Sequence, residues 1–291
     1  METLNPHRFS CRPLEGELGA DLAGVDVSSP SERDVEAIRV ALDARLVVRI
    51  RGLAFDDVAF TRLAERFGEL EGSPDYTRAR TLHMPESPLM TVISNVSENG
   101  QVVGELGDGE INWHTDLGFT DRPSGYTFLL AREVPPVGGD TSFANMYNAY
   151  ERLPDELKAQ LTRLRLKHQE SHTAQGVPRP GYRDIKTNDP RELPGPSHPI
   201  VRTHPRTKRK ALYLGRRFGG YIAGLTLADS EALLDRLWAA VARPEDVWTQ
   251  RWQVGDLVIW DNRCTMHRRD AFIGQGRRRM HRLTTIGERP A

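Results

Sequence analysis

Apolar residues change their spacing repeatedly along this chain, and the changes mark out strands interrupted by helices. "RLVVRIRG" (45–52), "PLMTVISNV" (88–96) and "SGYTFLLAREV" (124–134) are short apolar or alternating runs that fit pleated strands. Ser31 to Ala44 and "FDDVAFTRLAERFGEL" (55–70) instead repeat at helical spacing. Ser and Glu stand near the start of the first helix as cap candidates, and Phe60, Leu63 and Phe67 share one face of the second. "MYNAYERLPDELKAQLTRL" (146–164) is helical, with Pro154 expected to split it into two short helices. "DSEALLDRLWAAVA" (229–242) is a further amphipathic helix.

Strands return between and after these helices. "PIVRTHP" and "KALYLG" read as a hairpin around the basic tip Arg206 to Lys210. "VWTQRWQVGDLVIWDNRCTMHR" and "RRMHRLTTIG" close the chain as strands, and "FSCRPLEGELGADLAGVDVSS" supplies small strands at a sheet margin. No regular strand–helix alternation runs through the sequence, so a doubly wound sheet is disfavoured. The expected fold is mainly β with helical insertions, a sandwich or jelly roll. Residues 1–291 are read as a single domain. The Pro-, Gly- and charge-rich stretch 172–197 is expected to contain a loop that lids the active site.

Composition narrows the function classes. Lys+Arg and Asp+Glu number 40 each, for a formal net charge of +0, so no global field recruits nucleic acid or an anionic membrane. The Arg206–Lys210 run reads as a solvated hairpin tip. The 2 cysteines, Cys11 and Cys264, have no paired spacing, which argues against a disulfide framework or a zinc–thiolate site and fits a reducing cytoplasm. No apolar run approaches the ~20 residues that span a bilayer. A cytoplasmic protein without nucleic-acid or membrane partners is expected.

The candidate chemistry begins in "NWHTDLGF" (112–119). On a strand, His114 and Asp116 would point to the same face. Alone, the pair equally describes a hydrogen-bonded His–Asp near a turn. A distant third ligand changes that reading, because two His and one carboxylate on one face of a metal leave three positions open. His267, at the end of "GDLVIWDNRCTMH", is the candidate, with Asp261-Asn262 marking a break before it. Beyond it, Arg278, Met280 and Arg282 share a strand face, and a buried arginine there requires an anionic partner. A bound dicarboxylate would serve and could also use two open metal positions.

These blocks, with "GGDTSFANMYNAYERLP", "VRTHP…ALYLG" and the N-terminal "PLEGELGADLAGVDV" and "LVVRIRGLAF", resemble the taurine dioxygenase and 2,4-dichlorophenoxyacetate dioxygenase (TauD/TfdA) family across nearly the whole chain. The resemblance implies a double-stranded β-helix (jelly-roll) core and an oxygenase that uses Fe(II), 2-oxoglutarate and O2. It implies His114, Asp116 and His267 as iron ligands, and Thr141 and Arg278 as contacts to 2-oxoglutarate. It places Arg282 toward the substrate. The expected outcome is hydroxylation of an unactivated C–H bond with release of succinate and CO2. Because the Asp116 carboxylate is present, halogenation is disfavoured; desaturation, a metallo-hydrolase and a non-catalytic ligand-binding jelly roll remain as alternatives. Homo-oligomers are expected, as the family often forms them.

The substrate is less defined. Four residues before the first histidine the taurine enzyme has Asn, where this chain has Glu110, and its Tyr-Pro-His substrate segment has no clear match in "SPDYTRARTLHMPESP" (73–88). Taurine is therefore not the expected substrate. A small acidic or amino-acid-like metabolite is, with its amine near Glu110 and its acid near Arg282. Each has a simpler alternative: Thr141 in a plain turn, and Glu110 and Arg282 facing solvent.

Overall fold

The computed structural model describes residues 9–54, 56–72, 89–173, 178–179 and 181–291. The 73–88 segment compared above with the taurine enzyme lies outside the described residues.

Among the described residues the strands form a nine-stranded sheet and a four-stranded sheet, with smaller ladders beside them. Along the large sheet the order runs Ser10–Pro13, Ala20–Ala23, Val47–Ile50, Leu257–Asp261, Ser124–Glu133, Arg279–Ile286, Thr91–Ser94 and Glu105–Leu106, with Leu70–Glu71 also paired to Arg279–Ile286. Strands from both ends of the chain thus interleave in one sheet. The small sheet runs Val247–Gln250, Thr141–Asn145, Thr265–Arg269 and Ile111–His114.

Strand alternation explains how these sheets stack. In Ser124–Glu133, Leu129 and Ala131 join one apolar cluster and Phe128 and Leu130 the other. The first cluster lies between the sheets, where Trp260 of the large sheet packs on Phe143 of the small one at 5.2 Å between ring centroids. The second lies under the helices Glu32–Arg45 and Asp57–Glu65, which contribute Ile38, Leu42, Phe60 and Leu63. Because both faces of the central strands are covered, their sequences are almost continuously apolar rather than alternating. This is the jelly-roll core, with helices laid against its outer face.

Local signals account for most element boundaries. Ser31 caps Glu32–Arg45 in a capping box whose acidic member is Asp34. Pro154 separates helices Met146–Glu151 and Asp155–Leu161, as its ring requires. The hairpin of Val201–Thr203 with Lys210–Leu212 carries the basic tip. Its charges are matched by helix carboxylates: Arg206 meets Asp43 at 2.8 Å and Glu36 at 3.2 Å, and Arg209 meets Glu151 at 2.8 Å. No helix among the described residues is long and apolar enough to cross a membrane, and Cys11 and Cys264 are both free thiols.

Candidate metal and cosubstrate centre

The three expected ligands meet inside the jelly roll. His114 and His267 are directly paired partners on neighbouring antiparallel strands of the small sheet, with ring centroids 4.2 Å apart. Asp116 completes the group: Oδ1 is 3.9 Å from His114 Nε2 and Oδ2 is 3.9 Å from His267 Nε2. All three are buried, and their donor atoms lie within 4.8 Å of one another. The route by which Asp116 arrives differs from the same-face expectation. The strand ends at His114, and Asp116 sits in the turn that follows, with Leu117 at φ 50°. A turn aims the carboxylate back across the strand end, which strand alternation alone would not do. His267 lies inside Thr265–Arg269, after a turn at 262–264 that begins with the Asp261-Asn262 break.

Hydrogen bonds fix the donors. His114 Nδ1 is 2.8 Å from the Asn112 carbonyl oxygen, which can only accept, so Nδ1 carries the proton and Nε2 keeps its lone pair for a metal. His267 Nδ1 is buried with no hydrogen-bond partner among the described residues. Its ring is oriented by packing on Trp260 and Phe143, at 4.8 and 6.0 Å between centroids. Burial, together with the neighbouring His267, holds His114 well below the usual imidazole range despite the pull of Asp116; burial likewise lowers His267. Both rings are therefore neutral near pH 7, as metal ligands must be. Burial alone would raise the Asp116 carboxyl, but His267, Arg282, His114 and the Thr127 hydroxyl outweigh it and bring it down to about 2. Two imidazole nitrogens and a carboxylate form the donor set that suits a non-heme Fe(II).

Behind Asp116 stands a network that sequence inspection did not single out. Thr127 donates to Asp116 Oδ2 at 2.9 Å and accepts from Asn262 Nδ2 at 2.8 Å. Asn262 Oδ1 in turn accepts from Trp260 Nε1 at 3.1 Å and from the Asp116 amide at 3.3 Å. Outer partners of this kind orient a ligand and are worth about 10–100-fold in metal affinity. Thr127→Val, nearly isosteric, is expected to weaken iron binding by ~10-fold or more with little change in fold. Isothermal titration with Fe(II) or Mn(II) checks this, and unchanged affinity would assign Thr127 to packing alone.

Arg278 is 1% exposed, and its Nε and Nη1 have no hydrogen-bond partner among the described residues. Burial, reinforced by nearby Arg269 and only partly offset by Asp140, lowers its guanidinium to about 9. A cation this poorly compensated fits the far carboxylate of 2-oxoglutarate. The Gly138-Gly139 turn packs against it: a Cβ on Gly139 would lie 3.0 Å from Arg278 Cδ. Thr141, just beyond, is buried and accepts a hydrogen bond from Trp252 Nε1 at 3.1 Å. Arg269, directly across from Thr141, was also not anticipated; it is buried and donates to the carbonyls of Leu106 and Gly109, holding the Gly-rich approach to the metal turn.

The remaining site candidates separate. Arg282 reaches the metal turn, with Nη1 3.4 Å from Asp116 Oδ1 and Nη2 3.6 Å from Glu105. Glu110, expected beside the substrate, is exposed instead. Its nearest charged partner is Arg268, at 3.8 Å. It precedes the strand Ile111–His114 and is not part of the cavity wall. That cavity, about 740 Å³, opens on His114 and is walled by Trp113, Leu193, Phe218 and Trp238, with Arg216 beside them.

A second buried group, His204, Asp261 and Cys264, has the residue types of a metal site but not the free donors. His204 Nε2 is taken by Asp261 at 3.0 Å, and Nδ1 accepts from the amides of Arg206 and Thr207. Arg263 also binds Asp261, and burial pushes the Cys264 thiol well above its ordinary value. It is a structural cluster.

Comparison with known proteins agrees with this geometry. A family model described as taurine catabolism dioxygenase TauD, TfdA family matches residues 10–284. The chain is 35% identical to an alpha-ketoglutarate-dependent 2,4-dichlorophenoxyacetate dioxygenase of Burkholderia sp. (strain RASC), over 90% of this chain and 88% of that protein. It is 32% identical to an alpha-ketoglutarate-dependent sulfate ester dioxygenase of Pseudomonas putida, over 98% and 92% respectively. The crystal structure of a taurine dioxygenase from Burkholderia xenovorans superposes with a TM-score of 0.78 at 30% identity, covering 97% of this chain and 92% of that one.

Proposed function

The chain belongs to the TauD/TfdA family of 2-oxoglutarate-dependent non-heme iron dioxygenases, and from that premise we propose that it hydroxylates a C–H bond of a small organic acid with an apolar body. The cavity carries this reading. Its wall presents mostly apolar surface, from Trp113, Phe218, Trp238, Leu193 and Pro190 among others; it opens on His114, and its charged lining residues are Arg216, Arg217 and Glu231, a net positive set. Relatives are named for 2,4-dichlorophenoxyacetate and for sulfate esters, each of which carries an anionic group.

The protein's part in the reaction is positional. When bound, Fe(II) and 2-oxoglutarate supply the oxidising power: one oxygen atom of O2 ends in the hydroxylated product, the other in succinate, and CO2 leaves. His114, Asp116 and His267 would hold the metal, and Arg278, with Thr141 nearby, would hold the far carboxylate of 2-oxoglutarate. The buried Trp260 and Phe143 keep water from the back of the centre. His172, Asn188, Pro190 and Leu193 line the cavity, and we read the described residues of the 172–197 stretch as the cover over bound substrate. An amino-acid-like substrate would need its amine held elsewhere than at Glu110, which is exposed and outside the cavity lining.

The test is a screen of aryl and alkyl carboxylates, alkyl sulfates and amino acids, read by succinate release that requires Fe(II), 2-oxoglutarate and O2. An acid with an apolar body should raise succinate release above the substrate-free rate and gain one oxygen. Release stimulated only by amino acids would overturn the substrate class. No succinate under any condition from iron-loaded protein would favour a ligand-binding jelly roll.

A further inference from the structure

We infer that Arg269 is a second arginine of the cosubstrate site and receives the far carboxylate of 2-oxoglutarate together with Arg278. The inference rests on the dioxygenase reading above and names a further binding residue for its cosubstrate.

Strand pairing puts Arg269 beside the residues already assigned to that site. It follows His267 by two positions on the strand Thr265–Arg269, so the two side chains share a face. Thr141 stands directly across from Arg269, as Phe143 stands across from His267. Thr141 and Arg269 therefore form the next row of the small sheet beyond the metal row, roughly 7 Å along the strand. That spacing is comparable to the length of a short diacid chelated at the metal by its other end.

The two guanidiniums meet at one ring. Arg269 Cζ lies 5.2 Å and Arg278 Cζ 5.7 Å from the centroid of the buried Phe272. The Phe272 amide donates to the Asp108 carbonyl at 3.0 Å, and the Asp270 amide donates to the Asp140 carbonyl at 3.0 Å. The ring is thus tied to the approach to the metal turn on one side and to the Gly138-Gly139 turn on the other. A Cβ on Gly139 would lie 3.3 Å from Phe272 Cδ1, so this turn packs on the ring as well as on Arg278.

The protein leaves donors of both side chains unused. Arg269 is 5% exposed, and its Nη2 donates to the carbonyls of Leu106 and Gly109. Its Nε and Nη1 have no hydrogen-bond partner among the described residues, and the same two nitrogens of Arg278 have none. Holding two carbonyls explains Nη2 alone; an arginine with only that task would not bury its other N–H groups unpaired. Neither guanidinium is in an ion pair with a carboxylate among the described residues, and Asp108 and Asp140 act on them only from further away. The like charge of Arg269 also weighs on Arg278. A carboxylate relieves both costs at once, because its two oxygens offer about four acceptor sites to the free N–H groups of the pair.

Binding without turnover tests this. Mn(II)-loaded protein is titrated calorimetrically with 2-oxoglutarate and with 2-oxopentanoate, which keeps the chelating 2-oxo acid and carries a methyl group in place of the far carboxylate. The wild type is expected to prefer 2-oxoglutarate by ~100-fold or more. Arg269→Gln should weaken 2-oxoglutarate by about tenfold or more, the scale of a hydrogen bond to a charged group, and leave 2-oxopentanoate and Mn(II) within about twofold. If Arg269 only held the Leu106 and Gly109 carbonyls, both ligands would weaken together, because that loop leads to the metal turn. Arg278→Met is the second arm: it should keep a severalfold preference for 2-oxoglutarate, which the double variant loses. Three results would overturn the inference: a wild type without preference, an Arg269→Gln protein in which both ligands weaken equally or neither does, or, where that variant fails to fold, an Arg278→Met protein with no preference left. A wild type that binds neither 2-oxo acid would instead strike the dioxygenase reading itself, so the two failures are distinguishable.

Discussion

Asp116→Asn is expected to abolish iron-dependent succinate formation while leaving the fold intact. The substitution keeps the shape of the side chain and an acceptor for the Thr127 hydroxyl, but removes the only negative charge among the three ligands. Outer partners alone are worth 10–100-fold in metal affinity, so losing the ligand charge should cost more than ~100-fold. Metal analysis after dialysis, with a melting temperature close to wild type, would bear this out; stoichiometric iron in the variant would sink it. The same centre predicts a pH dependence. Protons compete with the metal for the imidazoles, and burial lowers both histidines below 6.5. Competition should therefore set in below the pH at which an exposed histidine protonates, so apparent iron affinity stays level through pH 6.5 and falls only in more acid solution. A decline centred at 6.5 or above would contradict the buried, neutral state of the pair.

The second large effect concerns Arg278 and has opposite signs for stability and function. A base whose folded value is about 9, well below the ordinary arginine value, destabilises the fold when charged. That cost is fully present below about pH 9 and is relieved only as pH rises from there toward the ordinary arginine value. Replacing such a buried charge with an apolar side chain of similar size is often stabilising by ~1–4 kcal/mol. Arg278→Met should therefore melt higher than wild type at pH 7.5 in the absence of 2-oxoglutarate. It should also lose the stabilisation that 2-oxoglutarate confers, about 2.7 kcal/mol at a hundredfold excess over Kd. Its KM for 2-oxoglutarate should rise by ~100-fold or more, since losing one partner of a buried charge pair costs ~2–5 kcal/mol. Differential scanning calorimetry with and without 2-oxoglutarate separates the two signs. A variant that melts lower than wild type and still responds to 2-oxoglutarate would remove Arg278 from the cosubstrate site.

Much of this was legible in the sequence, for reasons that can be named. Periodicity located the strands and helices because each element buries one defined face or two, and Pro154 and Ser31 carry their boundaries in their own chemistry. The iron face was legible because two histidines and a carboxylate, donors with one coordination preference, stand in separate blocks with an arginine-bearing strand after them. Asp116 does lie with the two histidines, but by a route that the expectation lacked, since alternation along a strand cannot foresee a turn. Arg216 and Arg269 escaped notice because an arginine in "LGRRFGG" or "HRRD" looks the same whether it faces water or a cavity; only chain closure tells them apart. Glu110 is exposed and outside the cavity lining, and one position of contrast with a relative says nothing about which way a side chain points.

The wall of the cavity has a consequence for how such an enzyme changes its diet. Apart from Asn112, Trp113 and His114, every lining residue lies between His172 and Trp238, on connections and the helix Leu227–Trp238. The iron ligands, Thr141 and Arg278 all lie outside that span. Exchanging that one continuous length of chain for a relative's is thus expected to change substrate range while leaving the oxidising centre in place.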